Sequence, residues 1–234
     1  SAGALVQNGI NWVDFHRNDK RIDSIRSFLQ FPARNSSLFN LNSYGQFAIL
    51  LSEIGEVEDV GATGPSFRGA SYLLSDLQWT YDVLFAAHPD RREGSDLLTL
   101  AKLQKYDAVL LPNSRYLSDS QIEMLTAYVN AGGTLIGFGR VGDQDDSGVP
   151  RASTRIFDDY FAKNLISELG TGKIIAFSTD LGKSYYDNAA NETTKTSLRE
   201  TYTNTVDGQV SPDLSLTYTG SGSGPGTSPD VFAN

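Results

Sequence analysis

Seven polar residues stand at or shortly after the ends of short apolar runs that are typical of buried strands: Glu53, His88, Asp90, Asn113, Arg115, Arg140 and Asp143. Open α/β sheets bind their ligands outside the carboxyl ends of the strands, so side chains at these positions are the first candidates for chemistry. Glu53 and Asp143 are the two carboxylates that could act together as a general acid and a general base. Strand ends that merely face water are polar too, so this catalytic pair remains one hypothesis among several.

The turn that follows the run "TLIGF" has no nucleophile. It reads Gly139, Arg140, Val141, Gly142. An amidase on this type of fold needs an activated thiol at such a turn, and a serine hydrolase needs a G-x-S-x-G elbow. The chain has no cysteine, no such serine sequence, and no histidines besides His16 and His88. Both activities are therefore disfavoured, and the turn has the composition expected of a scaffold.

The acidic loop "DQDDSG", residues 143–148, carries oxygen-bearing side chains at alternate positions. Asp143, Asp145, Ser147 and Gly148 match positions 1, 3, 5 and 6 of a calcium-binding loop, in which the glycine allows the bend. The twelfth position is Thr154 and not glutamate, so the bidentate ligand is missing. The pattern predicts a calcium site at Asp143, Asp145 and Ser147, with a solvated acidic turn as the alternative. We expect no other cofactor.

Composition excludes several classes of protein. The net charge of −9, without a cluster of lysine and arginine, argues against a nucleic-acid partner, which needs a basic face. The longest apolar runs, such as "FAILL" at 47–51, are far too short to span a bilayer. The chain begins at Ser1, so we expect a processed or cut product. Two sequons, at 35–37 and 191–193, point weakly to an extracellular or cell-surface location, with the cytoplasm as the alternative.

Apolar runs that alternate with helical patterns predict the fold class. The runs predict five core strands near 46–53, 81–87, 107–112, 134–139 and 173–178. Strands that are apolar throughout are typical of a parallel sheet covered by helices on both faces. Right-handed crossovers then make the sheet doubly wound. We therefore expect an α/β fold of the flavodoxin-like type, with a mainly parallel sheet of five or more strands.

The helix with the clearest signals begins at Ser118, which forms an S-x-x-Q capping box with Gln121 and is followed by an apolar face. Gly132 and Gly133 are expected to end it.

The remaining patterns predict a glycine-rich loop over 54–69 and helices over 70–80, 96–104, 157–169 and 191–206. The helix over 157–169 rests on Phe157, Phe161, Leu165 and Leu169 at steps of four.

Changes in composition divide the chain into three parts. Residues 1–44 are a mixed N-terminal extension, residues 45–190 form the α/β domain, and residues 191–234 are a C-terminal extension. The extension contains "GSGSGPGTSP", which has the composition of a flexible linker.

The segment "YDAVLLPNSRYLSDSQIEMLTAYVNAGGTLIGFG", residues 106–139, resembles the glutamine-amidotransferase-like domain attached to many glycoside hydrolases. In microbial β-galactosidases this is called the trimerisation domain. The later segments "GDQDDSGVPRASTRIFDDYF" and "GTGKIIAFSTDLGKSYYD" are similar to parts of the same domain, and "FLQFPARNSSLFNLNSYGQFAILLSE" resembles its junction with a preceding barrel. The resemblance covers residues 20 to 215.

The resemblance implies a non-catalytic role for this chain. In those hydrolases the catalytic carboxylates lie on a (β/α)8 barrel, and 234 residues are too few to hold both that barrel and the sheet domain. The chain would then serve assembly, as a homo-oligomer or beside a neighbouring domain of a carbohydrate-active protein. Two alternatives remain: an extracellular structural or surface-assembly protein with the same fold, and a free-standing glycoside hydrolase that uses the strand-end carboxylates.

Overall fold

A six-stranded sheet runs through the part of the chain that the computed structural model describes, which is residues 45–89, 97–151 and 165–210. The strands are β1 (Phe47–Ser52), β2 (Tyr81–Ala86), β3 (Ala108–Pro112), β4 (Thr134–Phe138), β5 (Leu165–Leu169) and β6 (Gly172–Phe177). The helices are α1 (Glu53–Glu58), α2 (Val60–Asp76), α3 (Leu100–Leu103), α4 (Asp119–Asn130), α5 (Leu181–Asp187) and α6 (Glu192–Val206). None of these described helices is long and apolar enough to cross a membrane.

The sheet is mainly parallel, in the order β2-β1-β3-β4-β6-β5. β1 pairs in parallel with β2 and β3, β3 with β4, and β4 with β6, whereas β5 is antiparallel to β6. Every residue of β3 and β4 is buried, as expected of strands covered on both faces. The predicted α/β class is confirmed, and the five predicted strands lie within one residue of their expected bounds.

Helices cover both faces of the sheet. Leu103 of α3 and Leu125 of α4 belong to one buried cluster with Val109. Leu73 of α2 and Tyr202 of α6 belong to the other, on the face that carries Leu110. Neighbouring strand residues point to opposite faces, so β3 contributes to both clusters. The connections from β1 to β2 and from β2 to β3 lie on opposite faces, which makes the carboxyl ends of β1 and β3 the topological switch point.

Helix α4 forms as the sequence predicts. The Ser118 hydroxyl accepts the Gln121 N–H at 3.2 Å, and the Gln121 side chain accepts the Ser118 N–H at 3.0 Å, which completes the capping box. Ile122, Leu125 and Val129 are buried against the sheet. The chain then turns through Gly132, at φ 106°, where residues other than glycine are disfavoured.

The glycine-rich loop predicted over 54–69 is wrong, because this segment forms most of α1 and the first part of α2. Glycine has a low helix propensity, so the glycines of this segment favour a loop when the sequence is considered locally. The structure shows a packing role instead. A Cβ placed on Gly69 would lie 1.7 Å from the carbonyl oxygen of Gly182, so the backbones of α2 and α5 touch at this point. Tertiary packing therefore outweighs the local preference.

The helix predicted over 157–169 is wrong for its last five residues, which form strand β5. Leu169 pairs with Gly172 and Ile166 with Ile175 across a tight turn. Exposure alternates along the strand, with Ile166 and Glu168 exposed and Ser167 and Leu169 partly buried. The four-residue spacing of Leu165 and Leu169 imitates a helix by coincidence, whereas the alternation of exposed and partly buried residues is that of a strand. Phe157 and Phe161 lie outside the described residues.

The predicted helix over 191–206 is confirmed as α6, which packs against the sheet through Tyr202 and Val206. An ionic cluster ties α6 to α2, since Lys195 Nζ lies 2.7 Å from Asp76 Oδ2 and Arg199 Nη1 lies 3.3 Å from the same oxygen. The domain boundary at residue 190 stays a prediction. The packing shows that the buried unit extends at least to Val206.

Tyr202 is fully buried and its hydroxyl has no hydrogen-bond partner among the described residues. Its ring packs 5.5 Å from Trp79 and 5.9 Å from Phe138. An unsatisfied buried hydroxyl costs about 1–3 kcal/mol, so Tyr202→Phe should raise the free energy of unfolding by about 1 kcal/mol in a urea titration. The control is Tyr128→Phe, which removes a hydrogen bond of 2.9 Å to the Tyr106 carbonyl and should lower stability. A loss of stability in Tyr202→Phe would mean that the hydroxyl has a partner.

Candidate functional site

The turn after β4 is a buried glycine corner. Gly139 has φ 67°, and its N–H donates to the carbonyl oxygens of Phe177 at 2.9 Å and Thr179 at 3.2 Å. A Cβ at this position would lie 3.3 Å from both Asn113 Oδ1 and Asp180 Cβ. The corner has the left-handed backbone in which a glycine is favoured, and it presents no side chain. The residue at the place expected for a nucleophile therefore has no reactive atom.

Asn113 follows β3 on one side of this corner. Its backbone adopts φ 44°, a conformation that asparagine tolerates better than most residues. The side chain is 8% exposed, and its Oδ1 accepts the Arg140 N–H at 3.3 Å. Asn113 thus holds the β4 turn in place and has little surface to offer a ligand.

Asp180 stands on the other side of the corner, at the beginning of α5. Its Oδ1 accepts the Ser66 hydroxyl at 2.7 Å and the Lys183 N–H at 2.8 Å. Burial raises the pKa of this carboxyl above its usual value, although the two hydrogen bonds oppose the shift. Asp180 is not among the site residues predicted from the sequence. Its position three residues before Lys183, after a buried run, is an N-cap signal that could have identified it.

Arg115 joins two carboxylates at the carboxyl edge. Its Nε lies 3.2 Å from Asp143 Oδ1 and its Nη1 lies 3.5 Å from Asp59 Oδ2. Arg140 also forms an ion pair with Asp143. The predicted site residues Arg115, Arg140 and Asp143 are therefore brought together, and the negative charge of Asp143 is balanced by two guanidinium groups.

Glu53 has different partners. It begins α1, and its Oε2 accepts the backbone N–H of His88, in the loop after β2, at 2.9 Å. Asp90 lies outside the described residues. Catalysis by Glu53 and Asp143 stays a prediction.

The acidic loop is held by internal hydrogen bonds. Asp145 Oδ1 accepts the N–H groups of Ser147 and Val149, each at 2.9 Å, and Gly148 has φ 77°. Thr154 lies outside the described residues. Within the described ranges, no three His, Cys, Asp or Glu side chains converge in a metal-binding group. Calcium at Asp143, Asp145 and Ser147 stays a prediction, and calorimetric titration with millimolar Ca²⁺ tests it, since a flat trace would contradict the site.

A cleft of about 400 Å³ lies at the opposite edge of the sheet, where β3 and β4 begin. Its lining includes Tyr106, Asp107, Tyr128, Thr134 and Gln209. Burial, with Asp82 as a nearby charge, raises the pKa of Tyr106 to about 12, so its hydroxyl stays a neutral donor. No local sequence pattern predicts this cleft, because its lining comes from strand starts, a helix end and the residues after α6.

The sequence "SYYD", residues 184–187 in α5, holds two neighbouring tyrosines. Tyr185 is fully buried and donates its hydroxyl to Asp76. Tyr186 is half-buried, and its ring centroid lies 6.3 Å from that of Tyr72.

No family model matches this chain, and no curated protein matches it. Solved structures with a similar fold include glycoside hydrolases. An exo-beta-1,4-mannosidase from Opitutaceae bacterium strain TAV5 has a TM-score of 0.50 and 12% identity, over 76% of this chain and 38% of that one. A GH42 beta-galactosidase from G. stearothermophilus has a TM-score of 0.49 and 11% identity, over 76% of this chain and 34% of that one.

A beta-galactosidase from Bifidobacterium adolescentis has 19% identity and a TM-score of 0.36, over 45% of each chain. Identities this low establish a likeness of fold alone. The chain spans between about a third and a half of the length of these three enzymes. What the fold likeness shows is the α/β architecture.

Proposed function

We propose that this chain is a non-catalytic assembly domain of a carbohydrate-active protein related to glycoside hydrolases. The observation that carries the proposal is the buried Gly139 corner, which has a left-handed backbone and no side chain. Asp143 is engaged by Arg115 and Arg140, so one of the two carboxylates that the sequence offers for acid–base catalysis is held in ion pairs. An extracellular or cell-surface location remains part of the proposal.

The fold likeness supports this reading. The exo-beta-1,4-mannosidase shares the fold over 38% of its own chain, which leaves most of that enzyme outside the shared part. A domain of this kind, whose turn after β4 carries no side chain at Gly139, contributes through its surfaces. The sequence resemblance to a trimerisation domain indicates that the contact includes further copies of the same chain, because most oligomers are formed by identical subunits.

The solution mass of the chain tests the assembly role. One copy has a mass of 25.4 kDa. We expect sedimentation equilibrium to give the mass of two or more copies, and this oligomer should dissociate on dilution. A mass of one copy at every concentration would contradict self-assembly by this domain. Open-ended filaments in place of a closed oligomer would favour the alternative of a surface-assembly protein.

A further inference from the structure

An exposed apolar patch lies at the carboxyl edge, around the junction of α1 and α2. Val57, Val60 and Val149 are 60%, 64% and 56% exposed, and we call them the valine patch. Val57 and Val60 flank Asp59, whereas Val149 follows Gly148 in the acidic loop. Glu58 Oε2 lies 3.9 Å from the Cβ position of Gly148, and Arg115 joins Asp59 to Asp143. The loop is thus fixed against the end of α1, which brings the three valines to one region of the surface.

Carboxylates are neighbours of the patch valines in the chain, since Glu56 and Glu58 border Val57 and Asp59 precedes Val60. Glu56, Glu58, Asp145 and Asp146 form no ion pair with any residue in the described ranges. Among the described residues, Asp59 and Asp143 form ion pairs with Arg115 and Arg140. Within those ranges six carboxylates are therefore matched by two guanidinium groups, on a chain whose net charge is −9. The surface combines exposed aliphatic area with a strong excess of negative charge.

We infer that the valine patch and its carboxylates bind a polypeptide segment that presents lysine or arginine side chains beside aliphatic ones. Exposed apolar groups with a polar rim are typical of protein-binding surfaces. The negative rim selects a basic partner and repels nucleic acid and anionic lipid. A small cation would gain no binding energy from the valine side chains. This inference rests on the proposed function, since it names the face through which an assembly domain makes one of its contacts.

Fluorescence anisotropy with the full chain tests the inference. The probe is a labelled peptide in which arginine alternates with leucine, and a second peptide replaces each leucine with serine. We expect saturable binding of the first peptide and at least about tenfold weaker binding of the second, because the aliphatic contacts are lost. Binding should also weaken as salt is raised, because exposed charges are screened.

Two sets of variants locate the contact. Replacing Val57, Val60 and Val149 together with serine should weaken peptide binding by about tenfold, because it removes the aliphatic area of the patch. Replacing Glu56, Glu58 and Asp146 with their amides should weaken binding and reduce its salt dependence. The controls are Val83→Ser, an equally accessible valine on β2 at 52% exposure, and Glu200→Gln on α6. Both controls should bind like the unchanged chain.

Three results would overturn the inference: no binding of the first peptide, equal binding of both peptides, or equal binding by the chain and its patch variants. Each leaves the assembly role itself standing if the solution mass still shows an oligomer. Conversely, a monomeric chain that binds the arginine–leucine peptide through the valine patch would refute self-assembly and keep the inferred surface.

Discussion

Gly69→Ala is expected to lower the free energy of unfolding by about 3 kcal/mol, the upper part of the usual range for overpacking. The added methyl group would meet the Gly182 carbonyl carbon at 2.6 Å and its oxygen at 1.7 Å. Both atoms are backbone, so no side-chain rotation relieves the overlap, and α5 must move away from α2. That movement would also disturb Asp180, which begins α5 and contacts Ser66 on α2.

Gly61→Ala is the matched control on the same helix. Nothing lies within 4 Å of a Cβ at Gly61, so this substitution adds only helix propensity. It should raise stability by about 0.5 kcal/mol. Urea unfolding of the three proteins gives the comparison. Equal stability of Gly69→Ala and Gly61→Ala would contradict the close contact between α2 and α5.

Asp180→Ala is expected to lower the free energy of unfolding by about 2 kcal/mol, because it removes a helix N-cap and leaves the buried Ser66 hydroxyl without its acceptor. Asp180→Asn keeps an acceptor oxygen for both donors and caps a helix equally well. At neutral pH it should therefore match or exceed the stability of the unchanged chain. A loss as large as that of the alanine variant would contradict the hydrogen bonding assigned to Asp180.

The pH dependence of the asparagine variant gives a second test. Burial raises the pKa of Asp180 above 3.8, so the folded state binds the proton more tightly than the unfolded state does. Stability from this group is fully present below the unfolded pKa and is lost as the pH rises through the folded pKa. The advantage of Asp180→Asn over the unchanged chain should thus grow as the pH rises from about 4 towards neutrality. An advantage that is constant over this range would contradict the raised pKa.

The strands and helix α4 could be predicted because the local sequence preference and the final packing agree in these elements. Residues 108–112 and 134–138 are apolar throughout and become fully buried parallel strands, and Ser118 with Gln121 forms the box that its spacing predicts. The errors occur where a distant contact decides the structure. Gly69 is helical because α5 packs against it, and Leu165–Leu169 is extended because β6 supplies its hydrogen bonds. Neither contact can be recognised from the spacing of residues within the segment itself.

The candidate site could be predicted in part. The absence of a nucleophile at the β4 turn is readable from the sequence, and the structure adds the φ of 67° at Gly139. The pairing of Arg115 with Asp143 and Asp59 depends on how the loops after β3 and β4 fold over α1, which no spacing reveals. The N-cap role of Asp180 is local and could have been read from the sequence, whereas its contact with Ser66 could not, because Ser66 lies 114 residues away in the chain.

Turnover of glycosides by this chain alone tests the central claim that the carboxyl edge makes contacts and performs no catalysis. The substrates are a panel of nitrophenyl glycosides that includes the galactoside and the mannoside, and the matched variant is Glu53→Gln. We expect no release of nitrophenol above the uncatalysed rate by either protein. Release by the unchanged chain that disappears in Glu53→Gln would show a working active site where we place a docking surface.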